Sequence, residues 1–238
     1  MDEKQIAAES AVELVKNGMV IGLGSGSTAE IAIRILGDKV KHGLRIIGVP
    51  TSQKTEQIAR GLGIRLATLE DYPELELTID GADEVELGSL DLIKGRGGAL
   101  LREKIVASSS RQLIIVADES KIVTRLGSHG EVPVEIVTFG WQSTSHRLEK
   151  LRWKPVLRPQ AGGAPFVTDG GHYILDCSFE KGISLQSRAA QLHDTVGVVE
   201  HGMFLGMATE AHVGSSQGVR ILRKNVENAN DPFGSNVK

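Results

Sequence analysis

Of 238 residues, 28 are glycine, about 12%, against a usual share near 7%. A hydrophobic content of 40%, seven prolines and no Gly-X-Y period exclude a disordered or collagen-like chain. The net charge of −3, with basic residues scattered, lacks the footprint of a nucleic-acid binder. The single Cys177 excludes an intrachain disulfide and a multi-cysteine metal site. Aromatic residues make up only 4%, so the core is aliphatic.

The first 18 residues are acidic and amphipathic. They lack the basic start and apolar run of a signal peptide. Ile6, Ala7, Val12, Leu14 and Val15 fall at helical spacing, and Asn17-Gly18 closes that helix. Residues 19–23 form a short apolar strand, followed by a Gly-Ser turn. Thr28–Leu36 reads as a helix closed by Gly37. Alternation continues with a strand over 44–49, a helix over 53–62, and strands over 64–67 and 75–79, the last running into Asp80. A helix over 99–107 and a strand over 113–116 complete the series. Strand–helix alternation with continuously apolar strands predicts a doubly wound, mostly parallel α/β sheet.

Beyond residue 130 the pattern changes. Strands are expected over 132–137, 155–158, 165–168, 173–177 and 196–199, with helices over 141–151 and 183–192. Gly170-Gly171 marks a hairpin. The order β-α-β-β-α-β is the split βαβ pattern. The expected division is a Rossmann-like domain over 1–129 and 204–238 and a smaller ferredoxin-like α+β lid over 130–203. Residues 225–238 are polar and expected to fray. No apolar stretch approaches the roughly 20 residues that span a membrane, so a cytoplasmic location is expected.

In open α/β sheets, ligands bind beyond the carboxyl ends of the strands. Polar residues collect there: Gly24-Ser25-Gly26-Ser27-Thr28, Thr51-Ser52-Gln53-Lys54, Asp80-Gly81-Ala82-Asp83-Glu84 and Asp118-Glu119-Ser120-Lys121. Between the last two lies Lys94-Gly95-Arg96-Gly97-Gly98, opening a helix that carries Glu103. The Gly24–Thr28 loop suits a phosphate dianion, with close-approach glycines, exposed N–H groups and hydroxyls. It also suits a plain βα turn with a Ser/Thr cap. No lysine completes a Walker pattern. No acid ends the second strand to hold a ribose, which argues against a nicotinamide cofactor. Asp80 and Asp83 fit Mg²⁺, sugar hydroxyls or acid–base work equally well, and also an Asx turn. The seven histidines show no zinc spacing.

These stretches, together with Arg102-Glu103-Lys104-Ile105-Val106-Ala107 and Pro133-Val134-Glu135, occur in an order that resembles the ribose-5-phosphate isomerases of type A. The resemblance covers about residues 5 to 224, and the run from Lys94 to Ala107 is its most specific part. It implies reversible conversion of D-ribose 5-phosphate to D-ribulose 5-phosphate through a cis-enediolate, with no metal or cofactor. It also implies a small-molecule substrate only, and a homodimer or homotetramer. It gives Glu103 as the base, Asp80 in ring opening, Asp83 on the sugar hydroxyls and Lys94 on the enediolate oxygen. Ser25, Gly26, Ser27, Thr28, Gly81, Ala82, Gly95, Arg96, Gly97 and Lys121 would line the substrate site. Arg96 departs from the glycine common in that family, and Asp169-Gly170-Gly171-His172 from its Asp-Asn-Gly-Asn. A non-catalytic sugar-phosphate sensor, an amino-sugar phosphate deaminase and a CoA transferase are the competing readings. Against the sensor, no fused DNA-binding module is expected in the stretch before Met19.

Overall fold

A computed structural model describes residues 2–179 and 183–224. The chain opens with helix α1 (Glu3–Val12), strand β1 (Val20–Leu23), α2 (Ser27–Lys41), β2 (Ile47–Pro50), α3 (Gln53–Gly61) and β3 (Arg65–Leu66). It continues through β4 (Leu77–Gly81), β5 (Glu84–Glu86), β6 (Leu92–Ile93), α4 (Leu100–Ser108), β7 (Leu113–Asp118) and β8 (Ile122–Val123). Next come β9 (Val132–Ile136), α5 (Trp141–Lys150), β10 (Trp153–Leu157), β11 (Tyr173–Phe179), α6 (Leu185–His193) and β12 (Val198–His201). The strands β13 (Met203–Phe204), β14 (Glu210–Ser215) and β15 (Gly218–Arg223) close the described chain.

Seven strands form the main sheet in the order β15-β14-β7-β4-β1-β2-β3. All its pairings are parallel except the β14–β15 edge. Strands β1, β4 and β7 read VIGL, LTIDG and LIIVAD and are buried almost throughout, as expected of a sheet covered on both faces. One face carries α1, α2 and α3, with Ala7, Val12, Ile33, Leu36 and Ala59 packed on Ile21, Leu77 and Ile114. The other carries α4 and a small sheet of short strands ordered β13-β6-β5-β8. The chain steps from β1 to β2 on one side and returns to β4 on the other. The strand order therefore reverses between β1 and β4, the place where such sheets bind ligands.

A third sheet, ordered β10-β11-β9-β12 and wholly antiparallel, carries α5 and α6. The order and the β-α-β-β-α-β sequence of its elements are those of the ferredoxin-like α+β arrangement. Its core holds Trp153, Val134, Leu148 and Leu192.

Several expectations need correction. Helix α1 stops at Val12, capped at Glu13, so Asn17-Gly18 does not close it. Gly37 does not close α2, which runs on to Lys41. A Cβ at Gly37 would come within 2.7 Å of Leu62 Cβ, so this glycine serves the packing of α2 on α3. Residues 165–168 are not a strand; only an isolated bridge joins Pro159 to Pro165. Strand β11 already pairs with β9 and β10, which leaves no edge for that segment. The β13-β6-β5-β8 sheet was not anticipated, because strands of two or three residues carry no readable period. The expectation for residues 225–238 lies outside the described residues.

Helix α1 sits close to β14 and β7 through Ala7, Ala8 and Ala11, all fully buried. The approach is tightest at Gly214, where an added Cβ would lie 1.8 Å from the Glu3 carbonyl oxygen. Backbone cannot yield as a side-chain tip can. Gly214→Ala is therefore expected to cost about 1–3 kcal/mol, read as a lower urea midpoint at unchanged slope.

Candidate active site

The first candidate loop follows β1. A Cβ at Gly24 would lie 2.3 Å from Asp80 Oδ1 and 2.5 Å from Asp80 Cα, so only glycine lets the loop rest on β4. Ser25 N–H then donates to Asp80 Oδ1 at 3.0 Å, joined by Gly81 N–H at 2.8 Å. Ser25 Oγ lies within hydrogen-bond reach of Thr51 (2.8 Å), Ser52 (2.9 Å) and Thr55 (3.1 Å). This hydroxyl cluster ties the β1 and β2 loops together. Gly26 caps α2 at φ +94° with no side-chain hydrogen bond, so the first N–H groups of α2 are left for another acceptor.

Lys94 emerges from β6, with its N–H on the Gly202 carbonyl at 2.8 Å. Its Nζ lies 3.0 Å from Asp80 Oδ2 and 3.5 Å from Glu103 Oε1, and it donates to the Gly81 carbonyl. The Asp80 contact is an ion pair; Oδ2 is not aligned as a hydrogen-bond acceptor. All three side chains are almost completely buried. Glu103 Oε2 has no hydrogen-bond partner among the described residues.

These surroundings set the charges. Burial pushes the Glu103 carboxyl up to about 8; Lys94 opposes the shift, and the negative charges of Asp80 and Asp83 add to it. Burial also raises Asp80, against the pull of Lys94 and two backbone N–H groups. Burial disfavours the Lys94 ammonium, but Asp80 and Glu103 together outweigh it and hold Lys94 charged beyond the usual lysine range. A carboxyl poised near neutrality in a cleft is the protonation behaviour of an acid–base catalyst.

Above this triad lies a cavity of about 120 Å³, lined by Ser25, Gly26, Ser27, Thr28, Gly81, Ala82, Asp83, Lys94, Gly95, Gly97, Glu103 and Lys121. It opens beside a second hollow of about 270 Å³ reaching Lys54 and Phe166. Larger clefts, about 460 and 550 Å³, lie elsewhere and gather none of these groups.

Two of the residues anticipated from sequence stand apart. Asp80 is fully buried beneath Lys94 and does not reach the cavity wall. Arg96 is exposed; its guanidinium donates to the His129 carbonyl at 2.8 Å. What Arg96 gives the site is its backbone N–H, on Asp83 Oδ2 at 3.0 Å. One residue was missed: Lys4 lines the cavity and its Nζ donates to Ser27 Oγ at 3.0 Å. Nothing in the sequence marks it, because only the packing of α1 brings its first turn beside α2.

A family profile described as ribose 5-phosphate isomerase A (phosphoriboisomerase A) matches residues 47–218. A ribose-5-phosphate isomerase A from Synechococcus is 55% identical over 222 residues, covering 93% of this chain and 96% of the relative. The chain belongs to the ribose 5-phosphate isomerase A family. The isomerase A structure from Methanocaldococcus jannaschii superposes with a TM-score of 0.89 at 37% identity, over 94% of this chain and 99% of that one. A D-ribose-5-phosphate isomerase in complex with phospho-erythronic acid superposes equally well (TM-score 0.89, 35% identity, 94% and 100% covered). This family is one of isomerases, and the fold just described is theirs.

Removing Lys94 from between two buried carboxylates leaves them without a counter-charge. Lys94→Met is expected to cost about 3–5 kcal/mol at neutral pH. The sign of its pH dependence follows from the raised carboxyls. With folded values above unfolded ones, their contribution is intact at low pH and is lost as pH rises. The urea midpoint of Lys94→Met relative to the parent protein should therefore fall further at pH 8 than at pH 5.

Proposed function

We propose that Glu103 is the base of an aldose–ketose isomerisation of ribose 5-phosphate and ribulose 5-phosphate, and that Lys94 stabilises the oxygen charge formed. The observation that carries this reading is the triad: a carboxyl raised to about 8, 3.5 Å from a buried ammonium, at the wall of a small polar cavity. The phospho-erythronic acid held by a structural neighbour supports a sugar phosphate as ligand.

The chemistry needs few parts. Ring opening moves a proton from the anomeric hydroxyl to the ring oxygen. Glu103 then takes the proton from C2, and the electron pair shifts to form the C1–C2 double bond with charge on O1. Returning that proton to C1, while the O2 proton passes to O1, yields the ketose. One carboxylate reaches both carbons from one face, so the intermediate is a cis-enediolate. Lys94 supplies positive charge where the oxyanion develops, in a site with little water to screen it. Asp83, whose Oδ2 already accepts from Arg96 N–H, is the carboxylate on the cavity wall, and we assign it to the sugar hydroxyls. Asp80, beneath Lys94, acts through that ammonium rather than on the sugar, which departs from the ring-opening role the resemblance implies. The uncapped N-terminus of α2 with Ser27, Thr28, Lys4 and Lys121 has the N–H groups and charge for the phosphate. No step calls for a metal.

A cytoplasmic location and a dimeric or tetrameric assembly belong to the same proposal. The lone Cys177, buried and with its thiol pushed up by that burial, asks nothing of an oxidising compartment.

Glu103→Gln is expected to lower kcat by about 10²–10⁴-fold with KM near that of the parent protein, in a coupled assay of ribulose formation with EDTA in excess. Turnover within a few-fold of the parent would remove Glu103 from the role, and EDTA inhibition reversed by Mg²⁺ would return Asp80 and Asp83 to a metal site. The base must be ionised to act, so kcat/KM should climb about tenfold per pH unit and level near pH 8. A profile flat from about pH 6 to 9 would separate the buried carboxyl from proton transfer.

A further inference from the structure

Glu103 stands between two cations, Arg102 and Lys104, and both reach carboxylates of the segment that builds the antiparallel sheet. Arg102 does so loosely: its Nη1 lies 3.8 Å from Asp169 Oδ2, and its side chain is 42% exposed. Lys104 is different. Its Nζ donates to Glu200 Oε1 at 2.7 Å and to the His201 carbonyl, with side-chain exposures of 12% and 15% for the pair. It also lies 4.8 Å from the centroid of the Phe204 ring, while Lys94 Nζ lies 5.6 Å from the same ring.

The stretch from Glu200 to Phe204 therefore touches the proposed machinery three times. Glu200 and His201 hold Lys104 on the helix that carries Glu103. The Gly202 carbonyl holds Lys94 through its backbone. Phe204 is approached by both ammonium groups. Space there is fixed as well: a Cβ at Gly202 would lie 2.1 Å from the Lys94 carbonyl oxygen. We propose that Lys104, through Glu200, is a positioning residue that sets the distance and the dryness of Glu103 relative to Lys94. The inference rests on the reading of Glu103 as the base.

The surroundings suit a permanent contact. Burial draws the Lys104 ammonium below the usual lysine range and Glu200 draws it back. His201 faces Lys104 at 3.4 Å through Nδ1 and is kept neutral by burial, pushed down to about 3. His193 stacks edge-on to His201 and lies 3.9 Å from Glu200. The ligand atoms of His193, Glu200 and His201 lie within 4.8 Å of one another, and the Lys104 ammonium meets two of them, Glu200 and His201. A partly buried, hydrogen-bonded pair is screened less by water than an exposed one such as Arg102–Asp169.

The test compares Lys104→Met, Lys104→Arg, Glu200→Gln and Arg102→Met, with Glu103→Gln alongside. Small misplacement of a reacting group costs up to about 10²-fold. Lys104→Met should thus lose at least about tenfold in kcat while KM stays within about twofold. Loosening α4 admits water to Glu103, so the acid limb of kcat/KM should move below its parent position, toward the ordinary carboxylate range. Lys104→Arg should recover part of the rate, Glu200→Gln should show the same limb shift, and Arg102→Met should stay within about twofold. A Lys104→Met enzyme with parent kcat, or one whose loss follows the folded fraction by circular dichroism with the limb unmoved, overturns the proposal. Should Lys104→Met fail to fold, Glu200→Gln decides in its place, and a parent-like profile there overturns it equally. If Glu103→Gln keeps its turnover, the base assignment itself is what fails. An inactive Glu103→Gln beside an unchanged Lys104→Met defeats this inference alone.

Discussion

Lys94 Nζ lies 3.0 Å from Asp80 and 3.5 Å from Glu103, with all three side chains almost wholly buried. One positive charge faces two carboxyls, and Asp83 adds a third negative charge nearby. Desolvation penalises every ion in such a place, so charges must balance or protonate. Lys94 stays charged because two neighbours need it. Asp80 is the better served, with two backbone N–H donors besides the ammonium. Glu103 is left with one oxygen near Lys94 and one with no partner among the described residues. Its raised pKa is the remainder of that unequal division. The poised proton is a property of the set, which is why no member can be altered without moving the others.

Holding three ionisable side chains together demands that three separate pieces of chain meet. Asp80 comes from the end of β4 in the main sheet, Lys94 from β6 in the small sheet, and Glu103 from α4. The glycines make the meeting possible. Gly24 lets the β1 loop lie against Asp80, so that an N–H reaches its carboxylate where a side chain would otherwise stand. The glycine excess of the sequence is in this sense the counterpart of the buried charges. The cavity they border is small and polar, with glycine backbone set among lysine, hydroxyl and carboxylate side chains.

Much of this was readable in advance for a definite reason. Long apolar strands ending in polar residues announce a parallel sheet and its carboxyl-end rim, and Ser25–Thr28, Gly81–Asp83, Gly95, Gly97, Lys94, Glu103 and Lys121 all stand at the cavity. The order of those residues along the chain named the family, which spacing alone left open. What escaped was contact that only packing decides. Lys4 sits on a helix whose charged face looks like any solvated face until α1 docks. Arg96 carries a charge that the chain turns away to His129. Asp80 and Asp83 look alike in sequence, three residues apart, yet one is sealed beneath Lys94 and the other meets the cavity. Strands as short as β6 and β13 have no period at all, though they deliver Lys94.

The linkage between protonation and folding shows why the arrangement is held from so many sides. Glu103 binds its proton more tightly folded than unfolded, so from the ordinary carboxylate range up to about pH 8 its contribution to stability declines as pH rises. At the pH where the carboxylate is ionised and able to act as a base, the folded state is already carrying that cost. Interactions that do not titrate in the same range must offset it. The candidates are the Ala7–Ala11 face of α1 on the sheet and, nearer the triad, the hydroxyl cluster about Ser25 and the Gly202 carbonyl on Lys94. A site that draws its reactivity from withheld solvation is as good as the packing that withholds it. The buried charges and the aliphatic core are therefore one structure, and α4 is best understood through what grips it on both sides of Glu103.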